Sequence, residues 1–308
     1  MENIGWNRKH NEEIIEFNVA LILELFWREK FQIFLITSIF AIYSVYYALS
    51  IPNQYKATVV LAPAQQNNSM MSTLSRLSGL ASMAGLDMGK SSSNETDKAL
   101  EIMKSWSFIE EFVTSNSLAS LLFAVNGWDK NENKLLYDEE KFDVETQNWL
   151  PDATVPNSWS LYRSFSSMIE IDEDKLTGLI SVSLEYYSPH LAKEILDDYI
   201  SAINNYMQNR ELEKVTRSIN YLQNQINNTS IAEMRDVFYD VIGEQIKNKM
   251  LAEATLDYAF VPVNPSMVPE IKSKPKRAAI CVLWTLMGGF ISLIIILLKH
   301  YWIRFHSR

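Results

Sequence analysis

Cysteine is nearly missing from this chain: Cys281 is the single one in 308 residues. No disulfide framework can form, so an exported domain here must be held by its core or by association with other copies. Histidine is almost as scarce, with only His10, His190, His300 and His306. No two of them share a helix turn and there is no HExxH or paired-cysteine spacing, which excludes the familiar zinc sites. A serine triad would need His190, yet Ser188-Pro189 just before it reads as a helix N-cap followed by a first-turn proline. The net charge of −9 offers no basic footprint, and no nucleic-acid partner is expected. The run Asp172-Glu173-Asp174 reads as a solvated turn rather than a carboxylate pair for sugar cleavage. No catalytic constellation emerges, no cofactor is implied, and the chain is read as not an enzyme.

Charge is also absent from two long stretches. Phe31–Ile51 reads FQIFLITSIFAIYSVYYALSI and Ala278–Leu298 reads AAICVLWTLMGGFISLIIILL. Each has about the 20 apolar residues that cross a bilayer core of roughly 30 Å. Neither shows the polar stripe of an amphipathic core helix. Some thirty residues precede the first run and Ser50-Ile51-Pro52 is a poor cleavage site, so an uncleaved anchor is expected. Arg8, Lys9, Arg28 and Lys30 precede it and only Lys56 closely follows, which puts the N-terminus in the cytoplasm. Lys272, Lys274, Lys276 and Arg277, outside the second run, oppose that orientation slightly. The expected organisation is a cytoplasmic segment 1–30, a transmembrane helix 31–51, an extracytoplasmic domain 52–277, a second transmembrane helix 278–298 and a cytoplasmic tail 299–308.

The central domain mixes both kinds of secondary structure. Gln54–Ala62 is β-prone and closed by Pro63. Residues 64–95, rich in Ser, Asn, Gly and Met, read as a flexible loop with one weak helix over Met71–Ala81. Leu100, Met103, Trp106, Ile109, Phe112 and Val113 recur at helical steps within a helix expected over Thr96–Asn116. Residues 117–160 read as irregular. Ser166–Asp172 and Gly178–Tyr187 read as two strands. A long helix follows from Pro189 to about residue 256, interrupted at Asn227-Asn228-Thr229 and restarted by the capping box Ser230-Ile231-Ala232-Glu233. Leu212, Val215, Ile219, Leu222 and Ile226 are spaced as in a coiled-coil seam, although a helix lying on a sheet would give the same pattern. Asp257–Val263 reads as a last strand whose pairing with the first would bring the two spans together. The fold class is therefore α/β (α+β): a membrane-proximal base, a long extended helical arm and two flanking transmembrane helices.

Two stretches invite chemistry. Ala84 to Ser91, AGLDMGKS, fits a loose phosphate loop, but LSGLASM before it and SSSNETD after it suit neither the strand nor the helix that such a loop needs. NPSMVPEIKSKPKR, residues 264–277, is a stiff, basic strap that abuts the second apolar run, and the proline-rich segment spans 262–275. Proline fixes φ and lacks an N–H, so the strap reads as an extended strut. Its cations are expected near lipid headgroups or an anionic glycan carrier.

Taken in order, these pieces are similar to the chain-length determinant (Wzz-type) family of polysaccharide co-polymerases. The resemblance rests on YKATVVLAP (Tyr55–Pro63), GLASMAGL (Gly79–Leu86), ALEIMKSWSFIEEF (Ala99–Phe112), ISVSLEYYSPHLAKEILDDYISAINNYM (Ile180–Met207) and the strap with Gly288-Gly289 beyond it. It implies a homo-oligomeric ring on the bacterial inner membrane that sets how many repeat units a Wzy-type polymerase adds to a lipid-linked glycan such as O antigen. The coupling positions it implies are Pro265, Pro269, Ser273, Lys274, Pro275, Lys276, Arg277, Gly288 and Gly289. The proline spacing departs from the usual pattern, and no glycine follows Gly289 in the span. An export adaptor with a separate tyrosine kinase is the alternative; only Lys299–Arg308 follow the second run, which leaves no room for a fused kinase.

Overall fold

The computed structural model describes residues 27–64, 91–151 and 153–306. It divides the chain into two compact units, Met1–Ile51 with Lys276–Arg308, and Pro52–Pro275. The Met71–Ala81 helix and the Ala84–Lys90 part of the phosphate-loop match lie outside the described residues.

The first unit holds two antiparallel helices, α1 (Lys30–Ser50) and α8 (Arg277–His306). Both are long and apolar enough to cross a membrane. Most large apolar side chains of α1, Phe31, Phe34 and Ile39 among them, face outward. Small residues are buried between the two helices, with Ser44 and Ser292 fully buried, as in helix pairs where lipid is as apolar as the side chains. Both serines fold their hydroxyls back onto their own helix, onto the carbonyls of Ala41 and Gly289 at 2.7 Å. Trp284 packs among Phe40, Tyr43 and Tyr47, with ring centroids 5.5 to 6.5 Å apart.

The second unit is built on an antiparallel sheet. Strand β1 (Gln54–Pro63) is central, paired with β7 (Leu179–Tyr186) on one side and with β8 (Phe260–Asn264) and β9 (Lys272–Lys274) on the other; β6 (Ile169–Asp174) closes the far edge. All pairings are antiparallel, so the class is α+β. Period-two alternation sends Ala57, Val59 and Leu61 of β1, and Ile180, Val182, Leu184 and Tyr186 of β7, into the core. The expected pairing of the first and last strands is present. Pro262 is tolerated because β8 is an edge strand among the described residues.

Helix α6 (Pro189–Asn228) covers the buried face. Its start follows the sequence reading: the Ser188 hydroxyl accepts from the Leu191 N–H, with proline at the first position. Helices α2 (Ser91–Lys104), α3 (Trp106–Ser115) and α5 (Ser158–Met168) complete the core. Phe108, Phe112, Phe165 and Tyr199 form an aromatic cluster with centroids 5.0 to 5.5 Å apart, and each ring contributes on the order of 1.5–3 kcal/mol by leaving water. The hydroxyls of Tyr186 and Tyr199 donate to the Leu121 and Met103 carbonyls. Burial pushes both phenols above their ordinary range.

Several expectations are corrected. The helix expected over Thr96–Asn116 is two helices, because Ser105 leaves helical geometry to accept from the Phe108 N–H. It also begins earlier: SSSNETD, read as unsuited to a helix, opens α2. The irregular 117–160 stretch contains α4 (Ala119–Phe123), the hairpin β2 (Val125–Asp129) with β3 (Lys134–Tyr137), and the short pair β4 (Phe142–Asp143) with β5 (Asn148–Trp149). Ser166, Ser167 and Met168 end α5 rather than begin β6. Ser230 does not cap α7 (Ala232–Ala254); Ile231 holds that position without a side-chain bond. The long helix also does not run on. Helix α7 turns back along α6, so the Gln208 amide reaches the Ala252 and Thr255 carbonyls at 2.8 Å. The Leu212–Ile226 stretch, spaced as in a coiled-coil seam, packs against this return helix of the same chain, with Val215 and Ile226 buried.

Candidate functional site at the strap

Residues 257–275 return the chain from α7 to the start of α8, and four successive contacts fix them. The first is Asn204 of α6, 2% exposed. Its carbonyl oxygen accepts from the Ala259 and Phe260 N–H groups, and its amide donates to the Phe260 carbonyl, each at 2.9 Å. One side chain thereby satisfies backbone groups at the entry to β8 that burial would otherwise leave unpaired. The second is Ser266, whose hydroxyl donates to Asp197 of α6; Asp197 also takes the Lys193 ammonium at 2.6 Å.

The third contact is β9. Lys272 pairs with Tyr55 and Lys274 with Gln54, and the Ser273 hydroxyl donates to the Gln54 carbonyl at 3.3 Å. The fourth is electrostatic. Lys274 pairs with Glu185 of β7, and beside it Lys56 of β1 pairs with Glu170 of β6 at 2.6 Å. The hydrogen bond from Lys56, helped by its charge and by that of Lys274, holds the Glu170 carboxyl below its ordinary range. Two acids and two cations thus form a ladder across β9, β1, β7 and β6.

The coupling positions divide accordingly. Pro265 is exposed and Pro269 half-buried, both in the stretch without regular structure between β8 and β9. Ser273 and Lys274 are in β9; Pro275 follows it. The extended strut is partly a strand held by sheet pairing, a stronger constraint than proline stiffness alone. Lys274, expected at headgroup depth, is engaged by Glu185. Lys276 is exposed. In the helical unit, Arg277 Nε donates to the Ala48 carbonyl at 3.0 Å, capping the end of α1 with a cation.

Gly288 and Gly289 separate cleanly. A Cβ built on Gly288 would stand 2.6 Å from Phe40 Cβ, so only glycine permits this helix approach; one on Gly289 meets nothing within 4 Å. Asn204, Asp197 and Ser266 were missed in the sequence. A signal existed for Asn204: it is a polar residue on the α6 stripe that buries Ile200, Ile203 and Met207.

The acidic run is not a turn: Asp172, Glu173 and Asp174 are the exposed end of β6, paired with Ser181, Ile180 and Leu179, and the turn follows at residues 175–178. Asp174 accepts from the Leu176 N–H at 2.9 Å and the Thr177 hydroxyl at 2.8 Å, and those bonds lower its carboxyl's pKa. Among the described residues no group of three or more His, Cys, Asp or Glu side chains is arranged to hold a metal ion.

The Wzz family, chain length determinant protein, matches residues 15–115, the stretch holding α1, β1, α2 and α3. The resemblance read from the sequence is met by this match. Among solved structures, a full-length bacterial polysaccharide co-polymerase is similar at 13% identity, covering 93% of this chain and 98% of its own, with a TM-score of 0.45. A fragment of WzzB, a polysaccharide co-polymerase from Salmonella Typhimurium, is similar at 12% identity over 72% of this chain and 100% of its own, with a TM-score of 0.31. No curated protein matches the chain by sequence.

Proposed function

We propose that the chain is a non-catalytic regulator of polysaccharide chain length, acting with a Wzy-type polymerase on a lipid-linked glycan such as O antigen. The match of residues 15–115 to the chain length determinant family carries this reading. The strap supports it in physical terms. Strand β1 begins a few residues after α1, β9 ends shortly before α8, and the two strands are hydrogen-bonded to each other. Both helix junctions are therefore tied to one strand pair, which suits a device that transmits the geometry of an outer domain to its anchors.

In this reading the protein is a two-pass inner-membrane protein with both termini cytoplasmic and residues 52–277 periplasmic, working as a homo-oligomer. Deleting the gene should broaden or shift the lipopolysaccharide ladder on a gel without abolishing polymer, and re-expression should restore the original mode. Complete loss of surface polymer would overturn the regulator reading in favour of export or synthesis.

A further inference from the structure

Helices α3 and α5 begin side by side. Ser105 and Asn157 cap them, each side-chain oxygen accepting an N–H three residues on, from Phe108 and Ser160. Just inside these caps the Trp106 indole N–H donates to the Ser158 hydroxyl at 3.0 Å, which ties the two helix starts together. Further along, Phe112 and Phe165 join the same helices in the core, with centroids 5.4 Å apart.

Helix α5 buries Leu161 and Phe165. Trp159 and Tyr162, three residues apart, stand beside each other on its surface with ring centroids 5.3 Å apart. Arg163 comes four residues after Trp159, one turn on along the same side. It is exposed and has no carboxylate partner among the described residues. Trp106 is 48% exposed and Trp159 62%. The bond to Ser158 pins the first indole, while the Trp159 N–H bonds nothing among the described residues and stays free to donate.

The chemistry of this surface selects its ligand. An aromatic face is electron-rich, so it attracts the weakly positive C–H groups that a pyranose ring presents on one side. The hydroxyls around the rim of that ring call for hydrogen bonds, which the Trp159 N–H and the Arg163 guanidinium can donate. A protein partner would need about 800 Å² on this side. A fully covered Trp buries about 150–250 Å², so two half-open indoles offer roughly 250 Å². Nucleic acid also stacks on aromatic rings, but a chain of net charge −9 lacks the basic field it requires.

We propose that Trp159, Tyr162 and Arg163 of α5, with Trp106 of α3, form a platform on which pyranose rings of a glycan stack. That this glycan is the polymer whose length the protein governs rests on the function proposed above. The platform then gives the sheet-bearing unit a direct hold on that polymer.

The test uses the full chain in detergent and, as probe, the surface polysaccharide of the cells that make this protein, freed of lipid by mild acid. Saturation-transfer NMR should show transfer to the sugar ring protons. Trp159→Ala should weaken binding about tenfold, the scale of one lost aromatic stack. Trp159→Tyr, which keeps an aromatic face, should retain most of the affinity, and Arg163→Gln, at an exposed position, should lower it severalfold. Tyr239→Ala, at an exposed ring of α7, should change nothing. No binding by the wild-type chain, or binding that neither Trp159→Ala nor Arg163→Gln weakens, would overturn the platform. Dissociation of an oligomer by Trp159→Ala would mark the patch as a contact between copies and overturn it as well. Gene deletion decides the proposed function separately. A ladder shifted by deletion, with no binding of the polysaccharide, would overturn the platform alone; a ladder untouched by deletion would overturn the regulator reading, and binding would still decide the platform.

Discussion

Helix α6 is one continuous helix with two different lives. From Pro189 to Met207 it buries Ala192, Ile195, Leu196, Tyr199, Ile200, Ile203, Asn204 and Met207, much of it on β1 and β7. From Gln208 to Asn228 it buries only Val215 and Ile226. Its partner there, α7, buries Ile242 and Ala252 and leaves Met234, Val237, Tyr239, Ile246 and Met250 exposed. Helical propensity does not distinguish the halves; the number of faces covered does. Since most helical stability in proteins comes from packing, the half on the sheet should be the anchor of the fold, and the two-helix hairpin should open first.

The largest expected effect breaks this comparison directly. Leu196→Ala, at a position with no exposure, should cost about 2–5 kcal/mol as a large-to-small core change. Val237→Ala, on the exposed side of α7 at 55%, should stay within about 0.5 kcal/mol. Denaturant unfolding of the detergent-solubilised chain reads both. Amide exchange should sharpen the result, with α7 exchanging well before residues 192–207. Equal protection along both halves would refute the distinction.

A smaller difference is expected for two side-chain amides on α6. Asn204→Ala removes partners from buried backbone groups of Ala259 and Phe260, and each group left unpaired costs about 1–3 kcal/mol. Gln208→Ala removes two bonds to carbonyls at the end of α7, where water can replace the amide at Thr255, and should cost about 1 kcal/mol or less. The same unfolding measurement ranks them, and a reversed order would mean that β8 does not depend on Asn204.

The sequence made the sheet legible wherever one residue type dictates one geometry. A β-prone run closed by Pro63 marked β1, Ser188-Pro189 marked the start of α6, and the two uncharged runs fell on α1 and α8. What stayed hidden depends on partners distant in the chain. Asn204 bonds a backbone 55 and 56 residues away, and Ser266 meets an aspartate 69 residues away. Helical spacing states which face of α6 is apolar but not what covers it, so the Leu212–Ile226 spacing, which fits a coiled-coil seam or a helix on a sheet, did not announce the returning α7. At the strap, three prolines suggested an unpaired strut, while the short SKPK context of β9 held no hydrophobic alternation to announce a strand. Gly288 and Gly289 look identical in sequence; only the position of Phe40 separates them. Gly288→Leu should therefore disrupt the α1–α8 pair, whereas Gly289→Leu should leave it intact. Cross-linking between cysteines placed on the two helices would report the difference.

The smallest expected effect concerns the charge ladder beside β9. Glu170 titrates below its ordinary range because Lys56 donates a hydrogen bond to it, with the charges of Lys56 and Lys274 adding to that effect. A lowered folded pKa means that the carboxylate contributes stability above its unfolded value, and that this contribution is lost as pH falls through the folded value. Lys56→Met should raise the Glu170 pKa toward the ordinary glutamate value, and Lys274→Met should raise it less, since Lys274 acts through charge alone. Both shifts should shrink in high salt, because Glu170 is 69% exposed and the pair is open to screening. Carboxyl titration of the selectively labelled chain by NMR measures all three values. If Lys274→Met moved Glu170 more than Lys56→Met, the strap rather than β1 would govern this face, and the outer end of the ladder would be the better target for uncoupling the domain from α8.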